Sequence, residues 1–286
     1  MKQLHRFSFL VFLLLNQIAS GQIKKIVLSR NSKIPVRFAE ISNLTIGFLT
    51  YSNENGEFFI PENSYTTDFT ITADFHETIK SAILTDTIYL SERISVLPEL
   101  VIHDNELDFK TVGYSGKKSK GSFIGSQTLA VKFKNLPVNS FVNQINLRIN
   151  HSKKESELPD QLLVKLILSY PNEKGEPEEV GILPFTISKT IDYETKNLVF
   201  DISHLNLRIT KNEVFCGLQF LGYFKNGVFI DFKDSRDFNK IIYRVPFSDI
   251  NQNIESWVRD NVGKWIPFTY QNSKCQFNFS MNLLLD

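Results

Sequence analysis

The chain has 286 residues, 42% of them apolar, and its 32 basic and 31 acidic side chains give a formal charge of +1. So balanced a charge offers no electrostatic footprint for nucleic acid or an anionic membrane. The length suits one or two domains, and an aromatic share of 13%, with 25 Phe, fits sheets better than helices.

Residues 1–21 read as a cleavable secretory leader. Lys2 and Arg6 precede an apolar run from Phe7 to Leu15, and the small residues Ala19, Ser20 and Gly21 follow before Gln22. The run is shorter than the roughly 20 residues a bilayer span needs, and no later stretch approaches that length. Gln22 stands where a lipid-anchored protein would place cysteine, so the expectation is an exported periplasmic or cell-surface protein that is neither lipid-anchored nor membrane-spanning. Cleavage removes two basic residues and no acidic one, leaving the mature chain close to neutral.

Short β segments follow over residues 22–102. Ile23 to Leu28 opens the series, and Ile46 to Tyr51 comes next. Asn55-Gly56 before Phe58-Phe59-Ile60 predicts a hairpin, with both turn residues at the positive φ of a type I′ turn. Phe69, Ile71 and Ala73 alternate with polar residues, and Ile88 to Leu90 and Leu100 to Ile102 supply further strands. Residues 103–120 read as a linker, since the alternation lapses into His103-Asp104-Asn105-Glu106 and a Gly/Ser/Lys-rich run from Gly113. Gly116-Lys117 there lacks both the glycine spacing and the following Ser or Thr of a phosphate loop.

Beyond Gly121 the period of two resumes. Ile145, Leu147 and Ile149 alternate along one strand, and Val164, Leu166 and Leu168 along another. Leu198, Phe200 and Ile202 follow. Val214, Cys216, Leu218 and Phe220 share one face of a strand, as do Cys275, Phe277, Phe279, Met281, Leu283 and Leu285 of the last. Both sulfurs therefore point into a core, where they are either a disulfide or two buried thiols. Two cysteines without a C-x-x-C pair speak against zinc. Turn clusters at Pro171–Gly175 and Phe224–Gly227 separate the strands, so 121–286 reads as an antiparallel, jelly-roll-like sandwich.

The order of Ala39-Glu40-Ile41, Thr50, the turn from Asn53 to Phe58, Ile88-Tyr89-Leu90 and Leu97-Pro98-Glu99-Leu100-Val101-Ile102 resembles the carboxypeptidase-regulatory-like domain common in exported Bacteroidetes proteins. The resemblance implies a transthyretin-like sandwich of seven strands over 22–102 and no peptidase activity, since the module is an appendage of carboxypeptidases without zinc ligands. Gly121-Ser122-Phe123-Ile124-Gly125, Asn146-Leu147-Arg148-Ile149 and Phe215 to Leu221 resemble a second domain that often follows this module, one without an assigned activity.

Signals for chemistry are sparse. His76, His103, His151 and His204 lie far apart, and His76-Glu77-Thr78-Ile79-Lys80 ends in lysine where a zinc-protease helix needs histidine. No Gly-x-Ser-x-Gly elbow nominates a serine nucleophile. Asp231, Asp234 and Asp237 could offer oxygens to calcium, but Lys233 and Arg236 bring competing charge into the same loop. The aromatics Tyr223, Phe224, Trp257, Trp265 and Tyr270 carry the one binding signal, because a sugar ring stacks on an indole or phenol face. The expectation is a non-catalytic envelope protein without cofactor or metal, binding a glycan or a protein partner. Tyr223, Trp257, Trp265 and Tyr270 are its candidate residues, and a hydrolase of exported polysaccharide or peptide is the alternative.

Overall fold

The computed structural model describes residues 22–61, 68–81, 84–93, 108–114, 121–123, 128–151, 161–179, 181–183, 186–192, 194–232, 243–249, 254–260, 263–271 and 273–285. The leader, the segment Leu100–Ile102, the carboxylates Asp234 and Asp237, and Gly116-Lys117 fall outside them. The chain divides into two compact units, one reaching to Arg93 and including Gly227–Phe229, the other made of residues 94–226 and 230–286. Both are built of β-strands, and no helix among the described residues is long and apolar enough to cross a membrane.

The first unit holds β1 (Gln22–Ser29), β2 (Glu40–Asn43), β3 (Phe48–Tyr51), β4 (Glu57–Pro61), β5 (Phe69–Thr72), β6 (Ile79–Ser81) and β7 (Thr87–Leu90). They form a three-stranded sheet in the order β4-β1-β7 and a four-stranded sheet in the order β3-β2-β5-β6. β1 and β7 run parallel, and the other pairs are antiparallel. Alternation sends Val27, Ile60 and Ile88 of the first sheet and Ile41, Phe69 and Ile71 of the second into one core between them.

Two local expectations change here. Ile46 belongs to the turn that starts β3, where the Asn43 side chain accepts from the backbone N–H groups of Thr45 and Ile46, and Gly47 takes a φ of 65°. At the second hairpin only Gly56 has positive φ. Asn53 accepts from the N–H groups of Asn55 and Glu57 through Oδ1, while Gly56 N–H donates to the Asn53 carbonyl. This is a three-residue loop closed by glycine, the alternative to type I′ that an asparagine cap at its start favours.

The second unit opens with β8 (Phe109–Gly113), β9 (Gly121–Phe123), β10 (Thr128–Phe133), β11 (Phe141–Arg148), β12 (Asn150–His151), β13 (Gln161–Ser169), β14 (Ser188–Ile191), β15 (Asn197–Asp201) and β16 (Leu207–Arg208). It continues through β17 (Val214–Lys225), β18 (Val228–Asp231, of which Val228 and Phe229 count with the first unit), β19 (Tyr243–Asp249), β20 (Ile254–Arg259), β21 (Trp265–Pro267), β22 (Thr269–Tyr270), β23 (Ser273–Phe277) and β24 (Phe279–Leu284). The largest sheet has seven strands, β14-β13-β17-β10-β20-β21 with β18 on β17. Leu129, Val131, Val164, Leu166, Cys216 and Leu218 from its inner face share one core with Ile145, Leu147, Phe200, Met281 and Leu283 of the five-stranded sheet β15-β11-β24-β8 with β16 on β11.

Part of the expected linker is structure. Phe109–Gly113 forms β8, paired along its length with β24 from Leu284 to Ser280, because an edge strand needs only one paired side and tolerates polar residues on the other. The last strand also departs from simple alternation. It breaks at Asn278, whose N–H donates to Pro246 O, so that β23 pairs β19 while β24 pairs β11 and β8. A strand that passes from one sheet to another turns a corner of the core, and Cys275 to Met281 are accordingly all buried.

Candidate functional site

The seven-stranded sheet has an outer face set by the same alternation that fills the core. With Leu129, Val131 and Phe133 inward, Thr128, Ala130 and Lys132 point out, and the register aligns them with outward residues of the neighbouring strands. Ile167, Gly217, Ala130, Trp257 and Pro267 make one cross-strand row. Its middle is low because Gly217 has no side chain. A Cβ there would strike the Leu129 carbonyl and lie 2.9 Å from Ala130 Cβ. The next row carries polar groups: Lys165 pairs with Gln219, Gln219 with Thr128, and Arg259 with Trp265, while Thr128 and Arg259 flank the Leu129–Val258 pair.

Over this second row lies a cleft of about 540 Å³. Lys165, Gln219, Thr128, Arg259 and Trp265 line it from the sheet, and Glu178, Glu179 and Leu183 from the segment before β14. That segment runs along the edge of β13, held by hydrogen bonds from Ile182 N–H to Leu168 O and from Leu166 N–H to Ile187 O, both 2.8 Å. At the other end the β20–β21 turn fixes Arg259 and Trp265. Lys264 N–H donates to Asp260 Oδ1 at 2.8 Å, Gly263 takes a φ of 84°, and the Arg259 Nε donates to Gly263 O at 2.6 Å. One guanidinium nitrogen of Arg259 stands 3.5 Å from Glu179, whose side chain is 86% exposed.

Of the sequence candidates, Trp265 lies in the cleft and Trp257 beside it in the first row. Trp257 stands edge-on to Phe215 with centroids 5.9 Å apart, and its indole Nε1 is buried without a hydrogen-bond partner. Tyr223 packs on Phe232 and the core, and Tyr270, 42% exposed, leans on Phe247 at 5.0 Å. Phe224 is buried. The four candidate aromatics therefore do not form one platform: the register joins the two tryptophans on adjacent strands and leaves the two tyrosines in other packing. Lys165, Gln219, Thr128, Glu178, Glu179 and Arg259 had no signal in the sequence, since polar residues every second position on a strand read as an ordinary solvent face.

Cys216 and Cys275 are two buried thiols and no disulfide joins them; burial pushes the Cys216 thiol well above its ordinary range. Among the described residues no three His, Cys, Asp or Glu side chains gather into a metal-binding group. His76 sits by a smaller pocket of about 310 Å³ in the first unit, with Nδ1 2.6 Å from Asp74 O. Ser29 beside it gives its hydroxyl to Glu92 at 2.5 Å rather than to the imidazole.

No family model, curated protein or solved structure matches this chain. Its function has to be read from the cleft.

Proposed function

We propose that this is an exported, non-catalytic protein whose second unit binds a glycan in the cleft on the outer face of the seven-stranded sheet. The observation that carries the reading is the juxtaposition of the Trp265 indole with a row of hydrogen-bonding side chains, Lys165, Gln219, Thr128 and Arg259, along an open depression. An aromatic face for the apolar side of a sugar ring and fixed polar groups for its hydroxyls are the two requirements of sugar recognition. The row lies on rigid strands, so little ordering cost is added on binding.

A hydrolase reading would draw on Glu178 and Glu179 as acid and base. They are consecutive on one segment and Glu179 is turned to solvent and to Arg259, whereas glycoside hydrolysis needs two carboxyl groups flanking the scissile bond. The arrangement favours binding. For the first unit, seven strands in two sheets among the described residues support the regulatory-like resemblance. Export rests on the leader pattern of residues 1–21, and N-terminal sequencing of secreted material should start at or near Gln22.

Trp265→Ala should weaken binding of the best oligosaccharide from a glycan array by about tenfold with little change in melting temperature, as measured by calorimetry. Trp257→Ala, which removes the partner of Phe215, should instead lower stability. Unchanged affinity in the Trp265 variant would place the glycan elsewhere.

A further inference from the structure

The charges of the cleft point to the class of glycan. Lys165 is half-buried on β13, an interior strand of the sheet, and among the described residues its ammonium has no carboxylate or hydrogen-bond partner. A cation partly withdrawn from water without a counter-charge is unfavourable, and an anion in the cleft relieves it. At the far end of the same row the Arg259 Nε donates to Gly263 O, so that the turn sets the orientation of the guanidinium. Its contact with Glu179, at 3.5 Å, is longer than the 2.7–2.9 Å typical of a charge-assisted hydrogen bond. With the carboxylate so exposed, this is the kind of ion pair that contributes little. Glu179 thus stands beside the guanidinium where a ligand carboxylate could pair with it side-on.

Resting on the glycan reading of this site, we propose that the cleft selects acidic oligosaccharides, with Lys165 and Arg259 each taking a uronate carboxylate and Glu179 acting as an internal competitor for Arg259. Three strand spacings, about 14 Å, separate the backbone positions that carry Lys165 and Arg259, with the neutral groups of Gln219 and Thr128 on the strands between them. The ligand is therefore an extended chain lying across the strands. Trp265 borders Arg259 and gives the sugar at that end its stacking face.

The test measures calorimetric affinities of the full mature chain for trigalacturonate, its methyl ester and the neutral trisaccharide maltotriose, in low salt and in 0.5 M NaCl. Trigalacturonate should bind about tenfold tighter than its ester, and the difference should shrink in high salt. Lys165→Gln should remove most of that preference without lowering the melting temperature. Glu179→Gln should raise trigalacturonate affinity several-fold and leave the ester unaffected, an effect that a merely structural role of Glu179 would not produce. Equal binding of acid and ester, or weaker acid binding in the Glu179 variant, would overturn the acidic selection while leaving the glycan reading in place. Absence of binding by all three sugars, together with no hit on a glycan array, would remove the glycan reading itself.

Discussion

Gly217 decides the shape of the outer face. It sits on β17 between Ile167 and Ala130, and any Cβ would run into the backbone of β10 rather than into the flexible end of a side chain. Backbone cannot yield as a side chain does, so Gly217→Ala should cost about 1–3 kcal/mol, read as a lower urea midpoint with an unchanged slope. The same row explains why the tryptophans differ in role. Trp257 lies over the small residues and packs on Phe215, whereas Trp265, one strand further out, keeps its place in the cleft. From the sequence both were aromatics near turns, and only the register of β20 against β10 and β21 separates packing from presentation. The cysteines show the same limit. Alternation placed both sulfurs in the core, correctly, but whether two inward sulfurs meet depends on how the sheets face each other.

Among the elements, one turn recurs. Asn53-Glu54-Asn55-Gly56-Glu57, Asn172-Glu173-Lys174-Gly175-Glu176 and Asp260 to Lys264 share a side-chain oxygen that accepts from the backbone N–H four residues on, a 4→1 bond from glycine N–H to the first carbonyl, and a glycine at positive φ. The pattern Asn/Asp-x-x-Gly closes a three-residue hairpin loop because the side-chain acceptor and the left-handed glycine act at fixed offsets. At the third copy the turn holds the cleft's end. Asp260→Ala should therefore cost about 1 kcal/mol of stability and weaken glycan binding as well, because Gly263 O would no longer hold Arg259. The same substitution in the second copy, Asn172→Ala, should lower stability by a similar amount and leave binding intact. Equal affinities of the Asp260 variant and the native chain would show that the turn does not position the site. The first two of these turns were legible in the sequence, as were β1, β3, β4, β5, β7, β11, β13, β15 and β17. What was missed at this scale included β10, β20 and β21, which carry Thr128, Arg259 and Trp265 of the cleft, as well as β8, whose exposed residues look like linker until β24 is beside them, and the corner at Asn278, where a single alternating run serves two sheets.

At the scale of the molecule, five carboxylates among the described residues lie below their ordinary range. A hydrogen bond from Lys24 holds Glu57 down, one from Lys25 holds Asp86, and the Thr195 and Ser203 hydroxyls hold Asp192 and Asp201. For Glu255, burial acts in the opposite direction and is outweighed by Lys134 together with the charges of Lys132 and Lys274. A carboxylate depressed in the folded chain contributes stability that is complete above its unfolded value, near 4, and is lost as the pH falls through the folded value. Urea midpoints should accordingly be level between pH 7 and pH 5 and fall below pH 4, with the three lysine-paired groups losing part of their share in high salt. A midpoint that does not change from pH 7 to pH 3 would contradict these pairings.

The sequence by itself determined the all-β class, the positions of the strands with regular alternation and of several turns, and which faces of those strands are apolar. These follow from a period of two and from local turn chemistry, which act between residues a few places apart. It also singled out Trp265, as one of several aromatics. Only the tertiary structure decided that Thr128, Lys165, Gln219, Arg259 and Trp265 form one row, that Gly217 lowers the floor next to it, and that Glu178 and Glu179 stand at its rim. The physical reason is register. The site is assembled from strands whose residues lie as much as 137 places apart, by hydrogen-bond pairing that aligns polar residues whose own neighbours in the chain carry no mark of it.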